Sequence, residues 1–421
     1  MRIAIFGLGY VGCTAACCIA KQGHQVVGID VNEKKVAEFN AGISPIREPK
    51  LDELLKEGVA SGSLSATTDI PEGLSSFDMA IVCVGTPSNI DGSHDMGFIA
   101  NVTKKLASSL DLDRESSLTI AFRSTFRPGT IEQLVSPIFE TSLGAEGMKS
   151  IELVYNPEFL REGTAIDDYF NPPKIVIGTY DGEASANMEK LHEGIDAEVF
   201  YTNYREAEIT KFVDNTWHAV KVAFANEVGR VCQKMDISAR KIHEIFVSDT
   251  KLNISSYYTR PGGAFGGSCL PKDVRALQKI SLDVGAGTYL IDSLLPSNDT
   301  HKLFQFQQAV ANLPAGSKVL LVGLAFKANT DDLRESPNLD MARRLLEDGF
   351  ELDVYDESLD ASRLIGQNLG YAYSHLPTLD RLLVTKEIAE SSDYQLVISA
   401  NDDFGKLEIN CPQKVNIGTI S

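Results

Sequence analysis

The chain has 421 residues, of which 43% are hydrophobic and 23% are charged, a composition typical of a globular protein with two or three domains. Its formal net charge of −19 disfavours a surface for nucleic acid, and no basic patch offsets it, so we expect no nucleic-acid partner. No apolar run approaches the roughly 20 residues of a membrane span, so we expect a soluble protein without a membrane partner.

The first predicted elements are a strand, a glycine loop and a helix. The run RIAIF predicts a buried strand, glycines follow at 7, 9 and 12, and CTAACCIAKQ has the small side chains of a helix packed closely on a sheet. We therefore expect this stretch to belong to the fold rather than to serve as a signal peptide. The next predicted strand is QVVGID, which ends at Asp30.

Further apolar runs of strand length follow along the first half of the chain. They are MAIVCVGTP at 79–87, LTIAFRST at 118–125, IELVYNPEF at 151–159 and KIVIGTY at 174–180. Segments long enough for helices separate several of them, which is typical of parallel βαβ units.

A long helix is predicted from about Arg205 to Met235, where the chain has one glycine and no proline. A helix of about 30 residues spans roughly 45 Å, more than the width of one small domain. It is therefore expected to link two lobes. Apolar residues recur along it at Ile209, Phe212, Val213, Val220, Phe224 and Val228.

A second α/β pattern begins with KVLLVGLAFK at 318–327, continues through a helix near 337–348 and reaches a strand in ELDVYDES. The position of Asp356 after that strand echoes Asp30 after the second strand, but the loop after Gly323 lacks the other glycines. This region either binds a nucleotide in a different way or only packs.

The glycines at 7, 9 and 12 form GxGxxG at a strand-to-helix junction, the pattern of a dinucleotide-binding loop. Asp30 is placed to accept hydrogen bonds from ribose hydroxyls. Val31 and Asn32 follow Asp30, so this position has no arginine to neutralise the 2′-phosphate of NADP. The pattern therefore favours NAD over NADP. The alternative is a glycine turn in a domain that binds no nucleotide.

Together these elements predict an α/β fold of two Rossmann-like, doubly wound domains joined by a long central helix in a helical middle domain. We expect an N-terminal NAD-binding domain at 1–202, a central helical and dimerisation domain at 203–300, and a C-terminal nucleotide-sugar-binding domain at 301–421.

The seven cysteines show neither a disulfide framework nor a paired metal motif, which predicts a reducing cytoplasm and no metal site. Four of them lie in apolar patterns and are interpreted as packing residues: Cys13, Cys17, Cys18 and Cys83. Cys269 differs, because it follows the glycine-rich stretch GGAFGG and precedes a predicted helix start at Pro271 and a positive charge at Lys272. A helix N-terminus and an adjacent lysine favour the thiolate, so Cys269 is a candidate nucleophile.

A nucleophilic cysteine gives a dehydrogenase the means to oxidise an alcohol twice. The thiolate adds to the aldehyde made first, a second hydride leaves the thiohemiacetal, and water hydrolyses the thioester to a carboxylate. Polar partners for this chemistry share one face of the long helix at Lys211, Asn215 and His218, with Asn226 near the same stripe. The alternative is a solvated helix face.

In order along the chain, IFGLGYVG, SPIREPKLDELL, VCVGTPS, RSTFRPGT, NPEFLREGTAIDD, KFVDNTWHAVKVAFANEVGR, GAFGGSCLPKDVRAL and GLAFKANTDDLRESP resemble the UDP-glucose/GDP-mannose dehydrogenase family. The resemblance implies an NAD-dependent, four-electron oxidation of the C6 hydroxyl of a nucleotide sugar, feeding an acidic polysaccharide such as alginate. The stretches WHAVKVAFANE and KLNISSYYTRPGGAFGGSCLPKD favour GDP-mannose as the substrate, with UDP-glucose or another UDP-sugar as the alternative.

The resemblance also implies roles for individual residues. Its catalytic residues correspond to Cys269 as nucleophile, Lys211 and Asn215 as oxyanion stabilisers, Asp273 and Glu158 as groups that position or deprotonate water, and Thr125, near the nicotinamide, as a residue that holds a water or a substrate oxygen. Its cofactor-binding residues correspond to Gly7, Gly9, Tyr10, Val11, Gly12, Asp30, Lys35, Thr86, Thr125, Lys272 and Arg334. Its substrate-binding residues correspond to Leu160, Arg161, Glu162, Lys211, Asn215, His218, Asn226, Tyr257, Tyr258, Arg260, Gly266 and Lys327.

Family members pair through the long helix, so the resemblance implies a homodimer, or a higher oligomer, in which Arg260 completes the partner's active site. The chain departs from the family pattern near its end, where Asn416 stands in place of a frequent aspartate. Two other classes of protein remain open: a two-electron hydroxyacid dehydrogenase, which needs no cysteine, and a nucleotide-sensing protein without turnover.

Overall fold

The computed structural model describes residues 1–71, 74–87, 90, 94–114, 116–161, 163–255, 262–267, 270–326, 330–364, 366–399 and 407–419. Internal contacts divide the chain into two compact units, Met1–His218 and Ala219–Ser421, and each unit is described by itself.

The first unit is built on one sheet. Its strands are β1 (Arg2–Phe6), β2 (Gln25–Ile29), β3 (Leu64–Thr67), β4 (Met79–Val82), β5 (Leu118–Phe122), β6 (Ile151–Tyr155), β7 (Ile175–Thr179) and β8 (Val199–Asn203). Within the described residues their order is β3-β2-β1-β4-β5-β6-β7-β8. Every neighbouring pair is parallel except β6 and β7.

Helices cover both faces of this sheet. They are α1 (Tyr10–Lys21), α2 (Glu33–Asn40), α3 (Leu51–Ser61), α4 (Gly97–Ser109), α5 (Ser136–Gly147), α6 (Ala165–Phe170), α7 (Ala186–Leu191) and α8 (Tyr204–Lys234), the last of which continues into the second unit. One apolar cluster joins the sheet to α1, α3 and α6, and another joins it to α4 and α5. This is the doubly wound arrangement that the alternating strands and helices predict.

The expectation of parallel βαβ units is wrong for β7, which pairs with β6 in the antiparallel sense at Tyr155 and Gly178. The reason is the short helix between them. The six residues of α6 rise only about 9 Å, less than the roughly 16 Å of a five-residue strand, so α6 does not carry the chain back to the edge where β6 began. The chain therefore re-enters the sheet from the carboxyl edge of β6.

The predicted long helix is confirmed as α8, which has 31 residues. The second unit continues with α9 (Ala239–Ser248), α10 (Leu270–Val284), α11 (Tyr289–Val310), β9 (Lys318–Val322), α12 (Pro337–Glu347), β10 (Glu351–Tyr355), α13 (Gly366–His375), α14 (Leu379–Leu382), α15 (Lys386–Ser391), β11 (Leu396–Ser399) and β12 (Lys414–Asn416). In the part of this unit that the structure describes, the strands form a parallel sheet in the order β10-β9-β11-β12.

The two sheets repeat one structural detail. Asp30, which follows β2, accepts a hydrogen bond from the Leu8 amide at 2.8 Å, and Asp356, which follows β10, accepts one from the Leu324 amide at 2.8 Å. In both units a carboxylate after the second strand thus holds the loop after the first strand. The predicted equivalence of Asp356 and Asp30 is confirmed.

The four cysteines expected to be packing residues are buried. Burial raises the pKa of the Cys18 and Cys83 thiols to about 12, so both are neutral at physiological pH. Across the described ranges, no helix combines the length and the apolar character that crossing a membrane requires.

Candidate active site

The glycine loop between β1 and α1 has the geometry that a dinucleotide needs. Gly7 has a φ of +92°, which favours glycine, and a Cβ on Gly12 would lie 1.8 Å from the Gly7 carbonyl oxygen. A Cβ on Gly9 would meet no atom within 4 Å, so the space above the first turn of α1 is open. This open cradle at a helix N-terminus fits a pyrophosphate, and Tyr10 and Val11 form the first turn.

Asp30 lies beside the glycine loop at the end of β2. Its carboxylate accepts hydrogen bonds from the Leu8 and Asn32 amides at 2.8 and 2.9 Å, and the Lys35 ammonium is 3.7 Å away. The backbone contacts hold the carboxylate at the carboxyl edge of the sheet, where it can accept from ribose hydroxyls. The predicted cofactor residues of this region therefore lie together.

A cavity of about 350 Å³ in the first unit brings four predicted site residues together. Thr86 reaches it from the loop after β4, Thr125 from the loop after β5, and Lys211 and Asn215 from α8. The spacing of four residues puts Lys211 and Asn215 on one face of the helix, as the pattern predicts. Its other lining residues are His94, Phe212 and Thr216.

Lys211 is held in this region by Glu158. The Lys211 Nζ lies 3.1 Å from the Glu158 Oε1, and the two side chains are 13% and 14% exposed. The second carboxylate oxygen of Glu158 accepts from the Leu160 amide at 2.7 Å. Because the pair is largely shielded from water, a positive charge and hydrogen-bond donors are oriented in a site of reduced dielectric constant.

Glu208, which the motifs did not single out, connects α8 to the loop that follows Thr125. It is fully buried, accepts from the Ile131 amide at 2.8 Å and accepts a second, short hydrogen bond from the Gly129 amide. Burial raises the pKa of the Glu208 carboxyl, and the two hydrogen bonds oppose that rise. Because its hydrogen-bond partners lie far away in the sequence, no local pattern could reveal the role of Glu208.

Asp168 organises the loop that contains Arg161. The Arg161 guanidinium donates to both Asp168 oxygens, at 3.0 and 2.5 Å, and the Arg161 amide donates at 2.9 Å. The side-chain hydrogen bond from Arg161 holds the pKa of Asp168 below its usual value. Arg161 is thereby fixed at the surface, where its side chain is 72% exposed.

Glu48 joins that loop to the glycine loop. Its carboxylate accepts from the Tyr10 hydroxyl at 2.6 Å and from the Gly163 and Ala165 amides at 2.8 and 2.9 Å. Burial acts to raise the pKa of Glu48, but these hydrogen bonds outweigh it and lower the pKa. The motif SPIREP contains Glu48, and this is the signal that could have identified it.

His218 is exposed on α8 and does not line the cavity of the first unit. In the second unit, Asn226 is exposed on α8, and Lys272 and Asp273 form an exposed ion pair at 3.0 Å in the first turn of α10. The start of α10 at Leu270 agrees with the predicted helix start after residue 269.

The Arg334 guanidinium is bound to both oxygens of Asp332 at 2.8 Å. A Cβ on Gly266 would lie 2.3 Å from the Glu335 carbonyl oxygen, so close packing within the second unit explains the glycine there. That unit also contains a cavity of about 280 Å³ beside the N-terminus of α12.

Six predicted site residues lie outside the described residues: Glu162, Tyr257, Tyr258, Arg260, Cys269 and Lys327. Among the residues that are described, no three His, Cys, Asp or Glu side chains are grouped to hold a metal ion.

Oxidation of an alcohol by hydride transfer needs a cofactor ring and a group that stabilises charge on oxygen at one place. The glycine loop and the cavity that contains Lys211 both lie at the carboxyl edge of one sheet. This arrangement defines the class of protein as a dinucleotide-dependent dehydrogenase. Residues 1–196, 205–300 and 320–416 match the NAD binding domain, the central domain and the UDP binding domain of the UDP-glucose/GDP-mannose dehydrogenase family. The chain belongs to this family, and the predicted fold class, NAD cofactor and dehydrogenase activity are confirmed.

Three similar proteins illustrate the relationship. A GDP-mannose 6-dehydrogenase of Pseudomonas putida is 42% identical over 418 residues, covering 98% of this chain and 94% of that protein. The crystal structure of a ternary complex of GDP-mannose dehydrogenase from Pseudomonas aeruginosa has a TM-score of 0.90 at 37% identity and covers 99% of this chain and 100% of its own. A UDP-glucose 6-dehydrogenase of Bacillus subtilis is 32% identical and covers 94% of this chain and 86% of that protein.

Proposed function

We propose that the protein oxidises the C6 hydroxyl of GDP-mannose to a carboxylate, giving GDP-mannuronate for an acidic polysaccharide such as alginate. The observation that carries the chemistry is the cavity in which Lys211, paired with Glu158, meets Thr125 and Asn215. The choice of sugar is supported by 42% identity to a GDP-mannose 6-dehydrogenase over nearly the whole chain, against 32% for a UDP-glucose 6-dehydrogenase.

In each of the two oxidations a hydride leaves C6 and the proton of the C6 hydroxyl passes to water, so the sugar oxygen gains negative character. The Lys211 ammonium and the Asn215 amide donate hydrogen bonds to this oxygen and stabilise it. Glu158 orients the lysine through the contact at 3.1 Å. Thr125, on the adjacent strand end, holds a water or a substrate oxygen. Bound NAD supplies the acceptor for the hydride of each oxidation, and two NAD are used per sugar.

Between the oxidations the protein itself carries the sugar. The Cys269 thiolate forms a C–S bond with the aldehyde carbon, and loss of hydride from this thiohemiacetal gives a thioester. Water then adds to the thioester carbon, the C–S bond breaks and the thiolate leaves, so the carboxylate is released. Asp273 and Glu158 position or deprotonate this water.

The sugar nucleotide is held by the remaining predicted residues. Leu160, Arg161 and Glu162 follow Glu158 in the sequence, and Arg161 is already oriented by Asp168. His218, Asn226, Tyr257, Tyr258, Gly266 and Lys327 complete the proposed set.

The active form is a homodimer, or a higher oligomer, in which Arg260 completes the partner's site. This is supported by apolar side chains that remain exposed on α8 and α9 in the single chain, including Val213 at 57%, Val222 at 61% and Ile245 at 62%. The protein acts in the cytoplasm, where a reducing environment keeps the Cys269 thiol free.

Purified protein assayed with GDP-mannose and UDP-glucose side by side tests the substrate. We expect NADH formation with GDP-mannose, and turnover of the UDP-sugar alone overturns the choice. Replacing Cys269 by serine tests the class, because a two-electron hydroxyacid dehydrogenase is unaffected, whereas here the variant stops before the acid. A protein that binds nucleotide but forms no NADH with any sugar is instead a sensor.

A further inference from the structure

His94 lines the cavity that holds Thr125, Lys211 and Asn215. A backbone hydrogen bond and a ring contact set its position. The Asp95 amide donates to the Pro87 carbonyl at 2.7 Å, which closes the loop after β4 and brings residue 94 back toward Thr86. The imidazole stacks on Phe212 of α8, with ring centroids 5.6 Å apart and planes inclined by 24°.

The structure shows no hydrogen bond from this imidazole to a described residue. The His94 Nδ1 is shielded from solvent and has no hydrogen-bond partner in the described part of the chain. A buried polar atom without a partner is costly, so such atoms mark places where a ligand or water completes the bonding. A half-turn about the Cβ–Cγ bond keeps the ring stacked on Phe212 and exchanges Nδ1 with Cδ2 and Nε2 with Cε1, so either edge of the ring can carry the nitrogens.

Topology identifies which part of a dinucleotide this cavity takes. The strand order β2-β1-β4-β5 puts Asp30 at the end of β2 and the glycine loop at the end of β1. With the adenosine ribose at Asp30 and the pyrophosphate at the glycine loop, the nicotinamide half extends to the opposite side, over β4 and β5. Thr86 and His94 follow β4, and Thr125 follows β5.

From these observations we infer that His94 hydrogen-bonds the carboxamide of the bound nicotinamide and so positions the ring over the cavity. The carboxamide has both N–H donors and a carbonyl acceptor, so either tautomer of the imidazole can pair with it. Stacking on Phe212 fixes the plane of the imidazole, and the ring nitrogens are available to hydrogen-bond the cofactor. The inference rests on the proposed function only in requiring NAD as the cofactor, not in the identity of the sugar.

Equilibrium binding of NADH and of ADP-ribose, measured by calorimetry, tests this role without turnover. We expect His94→Leu to weaken NADH binding by about three- to tenfold, the range of a neutral hydrogen bond, and to leave ADP-ribose binding unchanged. His94→Gln, which retains a donor and an acceptor, should recover part of the loss. The matched control is His375→Leu, an exposed histidine of α13 that also stacks on an aromatic ring, that of Tyr371, and it should change neither affinity.

Equal weakening of NADH and ADP-ribose means that the substitution only disturbs the loop, and this result overturns the inference. So does unchanged NADH binding. In steady state the KM for NAD should rise while the KM for the sugar nucleotide stays constant, and the reverse pattern also contradicts the assignment. A wild-type protein that binds no NADH overturns the proposed function as well, so the two failures are distinguishable.

Discussion

The Nζ of Lys211 and the Oε1 of Glu158 are 3.1 Å apart, and both side chains are largely shielded from water. One comes from α8 and the other from the loop after β6, so the contact joins the long helix to the carboxyl edge of the sheet. The contact holds the lysine in one orientation, and a donor of fixed orientation is what stabilisation of a developing oxyanion requires.

Removal of this charge should act on the chemical step. We expect Lys211→Met to lower kcat by about 100- to 1,000-fold, the usual effect of deleting an oxyanion-stabilising donor, with a much smaller change in the KM for NAD. Steady-state kinetics provide the measurement. The control is Lys104→Met on the exposed face of α4, and a Lys211 variant that matches this control in kcat would exclude the proposed role.

The glycine loop permits a paired test of cofactor binding. Gly9→Ala places a methyl group in open space and should leave the thermal stability intact while weakening NADH binding at least about tenfold, a loss of about 1.4 kcal/mol. Gly12→Ala drives a methyl group into the Gly7 carbonyl and should lower the thermal stability as well. Fluorescence titration with NADH and thermal melts separate the two effects. Normal NADH affinity in Gly9→Ala would mean that the pyrophosphate does not lie there.

Glu208 should behave as a positioning residue. In Glu208→Gln an amide N–H₂ replaces one of the two oxygens that accept the Gly129 and Ile131 amides, so we expect the free energy of unfolding to fall by about 1–3 kcal/mol. Hydrogen exchange at those two amides should accelerate, and kcat should fall more than the KM changes. Glu206→Gln, exposed on the same helix, is the control. Equal exchange rates at those two amides in both variants would contradict the positioning role of Glu208.

Asp168 should contribute stability that depends on pH. Its folded-state pKa is lowered by Arg161, so its contribution is present above the ordinary aspartate pKa of about 4 and is lost as the pH falls through the lowered value. The difference in unfolding free energy between wild type and Asp168→Asn should therefore shrink between pH 7 and pH 3, as measured by urea denaturation. Asp113→Asn, at an exposed position, should show no such trend. A difference that is constant with pH contradicts the linkage.

The sequence predicted those parts of the fold in which local pattern and tertiary environment agree. The buried runs at β1, β4 and β5 are recognisable from composition, and Asp30 and Asp356 follow from their place after a strand. The expected strands do not include β3, β8 or β11. β3 has only Leu64 buried, and β8 lies at the sheet edge with most of its side chains exposed, whereas β11 is fully buried but only four residues long. The antiparallel β7 depends on the short α6, whose effect on direction no apolar pattern reveals.

The candidate site divides in the same way. Thr86, Thr125, Lys211 and Asn215 follow from motifs, and the structure brings them to one cavity. His94 and Glu208 gain their meaning from partners distant in sequence, such as Phe212 for His94 and Ile131 for Glu208. Long-range contacts of this kind leave no periodic trace, so the fold has to be known before such residues can be assigned.

The most direct test of the proposed function is the number of NADH molecules formed per GDP-mannose consumed, followed by absorbance with the product identified by mass spectrometry. We expect two NADH for each sugar and a product that carries a carboxylate at C6. One NADH per sugar with an aldehyde as the final product, or complete absence of NADH from GDP-mannose, would contradict a double oxidation in one site.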